Sequence, residues 1–347
     1  MKKIKVFMTL LLSLSLFLSG CTEQKSEKKV ENETLQVYTT VYPLQYFTDR
    51  IGGKFVAAET IYPPGADEHT FEPSQKDMMK LADSDLFIYV GLGLEGFVDK
   101  TKETLKNEDT TMLAAGENVQ FTEAGDDHND SHAEGEHEHG EQGHVTEGEH
   151  KHGEEGHADE GEEHSHEDGH NHDGIDPHVW LDPVYAKDLA EAIKDGLTEK
   201  MPEQKQVFKQ NFEDLSAELD DLNNDFLKMS QSAARKEIIV SHAAFGYWEK
   251  RYGIEQVSVS GMSSSDEPSQ KELQSLIDHA NERGIKYVLF EQNVSSKLAE
   301  SVQKQIRAER LSLHNLSTLT DDNIKQNETY FTLMNKNVEI LQIALNQ

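Results

Sequence analysis

Cysteine is almost absent: the chain of 347 residues has one, Cys21. It cannot form an internal disulfide, so a disulfide framework is excluded. Basic residues are scarce too, 33 Lys and Arg against 65 Asp and Glu, for a formal net charge of −32. A phosphate backbone is bound by concentrated Lys and Arg, so this balance argues against nucleic acid as a partner and favours cations. Apolar residues make up only 35%, because some long segments cannot contribute to a core; globular structure is expected around those gaps. The apolar run from Phe7 to Leu18 is too short to span a bilayer.

What is present begins with that run. MKKIKV, the apolar stretch and Leu18-Ser19-Gly20 fit an export signal over residues 1–20, which is removed. Cys21 directly after Leu-Ser-Gly matches the bacterial lipobox, in which this Cys becomes the lipidated first residue. Residues 21–33 are then a polar tether holding the folded part at the extracytoplasmic face of the cell membrane.

From Leu35 the chain alternates strand-like and helical runs. "LQVYTTV", "FVAAETIY" and "DLFIYVG" read as strands, with helices in "PLQYFTDRIGG" and "SQKDMMKLADS", the latter capped by Ser74. Further on, "EIIVS", "IEQVSVSG" and "IKYVLFE" alternate with "FGYWEKRYG", "SQKELQSLIDHANERG" and "SSKLAESVQKQIRAE", and a last helix lies within "ETYFTLMNKNVEILQIAL". "DEPS" at 266–269 looks like a helix start, with Pro268 suited to the first turn. The expected fold is α/β with two lobes, each a mainly parallel sheet with flanking helices, over residues 34–200 and 232–347. Between them, residues 201–231 carry Val207, Phe208, Phe212, Leu215, Leu219, Leu222 and Phe226 at threes and fours. They predict one long amphipathic linking helix of about 28 residues, on the order of 40 Å; the alternative is a hairpin broken at Asn223-Asn224.

Residues 123–174 fit none of these patterns. They hold twelve of the seventeen histidines, His128, His132, His137, His139, His144, His150, His152, His157, His164, His166, His170 and His172, among Gly, Glu and Asp. With almost no aliphatic residues such a segment cannot offset the entropy of ordering, so a disordered loop inserted in the first lobe is expected. Its metal sites would be several and weak, since ordering entropy is lost each time its ligands converge.

Three of the other five histidines sit in stretches suited to a site: His69 in "YPPGADEHTFEPS", His178 in "DPHVWLDP" between two prolines, and His242 at the end of "EIIVSH". Ligands of α/β sheets gather beyond the C-terminal ends of strands, where His69 and His242 fall. Neutral imidazoles suit Zn²⁺, whereas Mn²⁺ and Mg²⁺ prefer more oxygen. Sequence spacing alone does not unite these residues, because no HExxH or CxxC binds them into a local motif.

Taken in order around an acidic His-rich insertion, "PPGADEHTFEPS", "DPHVWLDP" and "SHAAFGYW" resemble the zinc-uptake solute-binding lipoproteins of bacterial ABC importers. The likeness covers nearly the whole mature chain. It implies a metal in the cleft between two α/β lobes, with His69, His178 and His242 as ligands, an ABC permease as partner, a membrane anchor on Cys21 and a monomer. Manganese-type relatives tend to have Glu at the position of His242. Many relatives also place a carboxylate fourth ligand where this chain has Ser317, in "LHNLSTLTDD", so the resemblance implies three His and a water or chloride. Glu68 and, in another register, Asp321 are the other candidates for the fourth ligand, and Glu291 in "LFEQNVSS" would orient an imidazole or bound water. Trp180 and Phe245 would wall the site. Against a zinc receptor stand two other readings: a zinc hydrolase, since three His with an open position also describe catalytic zinc, and a zinc-buffering or adhesin-like surface lipoprotein.

Overall fold

The computed structural model describes residues 34–121, 175–263, 266–292 and 296–346. The export signal, Cys21, the tether and all twelve histidines of the insertion lie outside the described residues. Among the described residues no helix is long and apolar enough to cross a membrane.

The first lobe is built from β1 (Leu35–Thr39), α1 (Tyr42–Gly52), β2 (Val56–Thr60), α2 (Gln75–Ala82), β3 (Leu86–Tyr89), α3 (Val98–Leu105) and β4 (Thr111–Ala114). Its four strands are all parallel, in the order β2-β1-β3-β4. Pro43 lies in the first turn of α1, where its missing N–H costs nothing. Ser74 caps α2 in a capping box with Asp77, as its position before the helix implied. β4 and α3 carry little apolar periodicity of their own and emerge only in the structure.

After the insertion, α4 (Pro183–Lys200) leads through a short turn at Pro202–Gln204 into α5 (Lys205–Ser232). This linking helix is unbroken over its 28 residues. The Asn223-Asn224 pair does not end it, because the Asn223 side chain is turned outward to accept the Tyr252 hydroxyl at 2.9 Å instead of competing for the helix backbone. Phe208, Leu215, Leu219, Leu222 and Phe226 are buried in a single stripe, each burial stabilising by about 1.5–3 kcal/mol. Val207 falls outside that stripe and is exposed.

The second lobe repeats the pattern with β5 (Glu237–Val240), α6 (Gly246–Tyr252), β6 (Glu255–Ser258), α7 (Gln270–Arg283), β7 (Tyr287–Glu291), α8 (Lys297–Gln305), β8 (Glu309–Leu313), the short α9 (Asp321–Lys325) and α10 (Tyr330–Leu345). Its parallel order, β6-β5-β7-β8, matches that of the first sheet. Gly253 and Gly284 end α6 and α7 in the left-handed region, at φ 66° and 62°. α7 starts at Gln270, two residues past Pro268: Ser269 is its cap, in a capping box with Glu272, and Pro268 stands just outside the first turn.

One hydrophobic core runs through both lobes. Val37, Leu86 and Ile88 of the first sheet, Leu219 and Phe226 of α5, and Ile238, Val240, Leu289 and Leu313 of the second belong to one cluster. A smaller cluster, including Ile239, Val288, Phe290 and Ile277, fills the other face of the second sheet under α7 and α8. Lobes that share a close-packed core cannot swing widely apart without opening it.

Candidate metal centre

His69, His178 and His242 come from three separate segments and meet between the lobes. One potential ligand atom from each lies within 4.8 Å of the others. His69 follows β2 in the loop 61–74, whose Asp67 carboxylate accepts the His69 backbone N–H at 2.9 Å. His242 lies just beyond β5, at the C-terminal edge of its sheet. His178 precedes α4, in a segment fastened by side chains of the second lobe. The Tyr247 hydroxyl donates to the Asp176 carbonyl at 2.5 Å, Trp248 Nε1 to Leu181 O at 2.8 Å, and the Tyr330 hydroxyl to Trp180 O at 2.8 Å. Trp180 Nε1 in turn donates to Asn315 O at 2.7 Å, and Arg251 pairs with Asp182, the cap of α4. His178 is thereby tied to the same body as His242.

The geometry suits a tetrahedral cation. His69 Nε2 and His178 Nε2 are 3.3 Å apart, and bonds of about 2.0–2.1 Å to tetrahedral zinc set two nitrogens about 3.3 Å apart. The rings stand steeply tilted to one another, with centroids 5.1–5.3 Å apart, so their nitrogens converge without ring stacking. His178 and His242 are buried and His69 is half-buried.

Two carboxylates orient the deeper imidazoles. His178 Nδ1 donates to Asp176 Oδ1 at 2.8 Å, and His242 Nδ1 donates to Glu291 Oε1 at 2.6 Å. A carboxylate only accepts, so in each ring Nδ1 carries a proton and Nε2 is the nitrogen left to meet a metal. His242 Nε2 donates to the Met262 carbonyl at 2.9 Å, so in the metal-free protein this ring carries a second proton that a metal would displace. Burial alone would depress His242, but the charge and hydrogen bond of Glu291 outweigh it and hold the imidazole above its usual range. His69 moves the other way: burial, reinforced by the charges of His178 and His242, pushes it down to about 3 and keeps it neutral. Burial and the neighbouring Glu291 raise Glu68.

The remaining candidates divide clearly. Glu291 ends β7 and is hydrogen-bonded to His242. Glu68 is buried and accepts from Asn315 Nδ2 at 2.9 Å. Ser317 is fully buried, but its carbonyl accepts from Tyr42 N at 2.8 Å and its hydroxyl donates to Asn315 Oδ1 at 3.0 Å. Asp321 is exposed on the first turn of α9, outside the grouped residues. Trp180 places its ring edge-on to His178 at 5.4 Å, whereas Phe245 packs against Trp248 at 4.6 Å. Asp176, Met262 and Asn315 were not singled out from sequence. An acid two residues before a candidate ligand was a usable signal for Asp176; a backbone carbonyl and a lone Asn give none.

Comparison with known proteins places this geometry in context. Residues 37–344 match the family ZnuA, described as zinc-uptake complex component A, periplasmic. The zinc-binding lipoprotein AdcA of Streptococcus pneumoniae strain R6 is 31% identical over 347 residues, 100% of this chain and 62% of that protein. The chain thus spans less than two thirds of that relative's length. The high-affinity zinc uptake system protein ZnuA of Bacillus subtilis is 29% identical, covering 94% of this chain and 92% of its own. Among solved structures, the Zn(II)-bound ZnuA-like domain of S. pneumoniae AdcA superposes with a TM-score of 0.67 at 28% identity, over 90% of this chain and 100% of that domain. The chain belongs to the ZnuA family, the component A proteins of zinc-uptake complexes.

Proposed function

We propose that this protein is an extracytoplasmic zinc receptor, anchored to the membrane through Cys21, that captures Zn²⁺ with His69, His178 and His242 and delivers it as cargo to an ABC permease. The convergence of three imidazole nitrogens from three distant segments supports this reading most directly. An all-nitrogen set favours zinc over manganese, and the relatives AdcA and ZnuA are named for zinc binding and zinc uptake. The Ser317 hydroxyl is committed to Asn315, which favours a water or chloride as the fourth ligand. Release then depends on small shifts of the ligand-bearing loops, because the lobes share one core. The monomer acts as the unit, and the His-rich insertion supplies weaker auxiliary sites.

Hydrolysis is the weaker reading, because it requires a carboxylate free to act as a base. Glu68 is held by Asn315, and Glu291 by both Asn315 and His242. The decisive experiment is zinc titration against a strong competing chelator. His69→Ala should abolish the tight stoichiometric site, while deletion of residues 124–173 should leave it in place. The opposite pattern would make the insertion the receptor and sink the cleft reading.

A further inference from the structure

Asn315 lies between the two buried carboxylates beside the histidines. Its Nδ2 donates to Glu68 Oε1 at 2.9 Å and to Glu291 Oε2 at 2.7 Å. Its Oδ1 faces the other way, accepting from the Ser317 backbone N–H at 3.1 Å and from the Ser317 hydroxyl at 3.0 Å. A backbone N–H can only donate, which fixes the amide orientation. The Asn315 backbone is pinned as well, its carbonyl taking the Trp180 indole N–H at 2.7 Å. Both amide hydrogens are thus committed to carboxylate oxygens, one from each lobe, in a fully buried network.

The consequence concerns which metal the site accepts. Glu68 directly precedes His69 in the chain, and Asn315 Nδ2 joins its carboxylate to that of Glu291. Glu291 already touches the His242 ring. Released, Glu68 would add oxygen to a nitrogen set, and hard cations such as Mn²⁺ gain more from added oxygen than zinc does. Resting on the three-histidine reading above, we propose that Asn315 is a specificity-determining residue: anchored on Glu291, it holds Glu68 as a hydrogen-bond acceptor and so keeps the Glu68 oxygens out of the metal's coordination sphere. The cation selected is a nitrogen-seeking divalent ion over an oxygen-seeking one. Asn315 also links the segment bearing His69 to the carboxylate that orients His242, so one amide sets both lobes' contributions to the site.

The test compares Zn²⁺ and Mn²⁺ affinities of the full chain by chelator competition, with Co²⁺ absorption reporting coordination number. Asn315→Leu should lower the zinc-over-manganese preference by at least about tenfold and replace the intense four-coordinate Co²⁺ bands with weaker ones of higher coordination. Adding Glu68→Gln to that variant should restore much of the preference, which a merely structural role of Asn315 would not allow. Asn315→Asp, which keeps the size and the acceptor for Ser317 but cannot donate, should shift selectivity the same way and serves where the Leu variant fails to fold. Wild-type selectivity and Co²⁺ spectrum in both variants, with the site still abolished by His69→Ala, would overturn the inference alone. A tight site indifferent to His69→Ala would overturn the three-histidine reading and this inference with it.

Discussion

Glu291→Gln is the most informative single change at the site. The Glu291 and His242 side chains are both 2% exposed and joined by a 2.6 Å hydrogen bond. The carboxylate accepts only, so it keeps a hydrogen on Nδ1 and makes Nε2 the nitrogen that gives up its proton to a metal; a glutamine can present its N–H₂ instead and favour the opposite tautomer. Loss of such an orienting partner weakens metal binding by about 10–100-fold, or about 1.4–2.8 kcal/mol at about 1.4 kcal/mol per factor of ten. A second readout follows from charge. Glu291 holds His242 above its usual range, so metal must displace a proton from this ring near neutral pH. The sign for the metal-free protein is that of a raised histidine: the stabilisation is complete below the unfolded value of 6.5 and is lost as pH rises through the higher folded value. Glu291→Gln should therefore release fewer protons on zinc binding and lose less stability on going from neutral to alkaline pH. Chelator competition, with proton release followed by an indicator dye in weak buffer, measures both. Zinc affinity within about twofold of wild type together with unchanged proton release would refute the orienting role.

His314 gives a prediction of opposite sign. Its Nδ1 accepts from Leu316 N at 2.9 Å, its Nε2 bonds Asn323 at 3.0 Å, and burial lowers its pKa below 6.5. It is held neutral in the folded chain, so its contribution is full above 6.5 and lost as pH falls through the lower folded value. Denaturant unfolding of the metal-free protein from about pH 7 to about pH 5 should show a greater loss for wild type than for His314→Gln; parallel curves would contradict it. Asp182→Ala removes the cap of α4, which accepts from Val184 N and Tyr185 N, and leaves Arg251 without its carboxylate. Thermal unfolding should report a loss of about 3 kcal/mol, and a loss below about 1 kcal/mol would show that water replaces the pair at little cost.

The sequence alone determined whatever rests on neighbours along the chain. Capping at Ser74, the glycine stops at Gly253 and Gly284, the β-like runs of the sheets and the stripe from Phe208 to Phe226 reflect local rules with periods of two or about 3.6 residues. The three histidines could be singled out because His69 lies in a Pro- and Gly-rich loop, His178 between two prolines and His242 at a strand end, and because their motifs in order resemble a known family. Only the tertiary structure decided how these pieces meet. His69 and His178 are 109 positions apart in sequence, yet their nitrogens lie 3.3 Å apart. The partners that orient and restrain the site, Glu291 on His242 and Asn315 between Glu68 and Glu291, bridge separations of 49, 247 and 24 residues. No local periodicity encodes such pairs. They arise because two parallel sheets, packed through one shared core, turn their C-terminal edges toward a common cleft where buried polar groups must find one another.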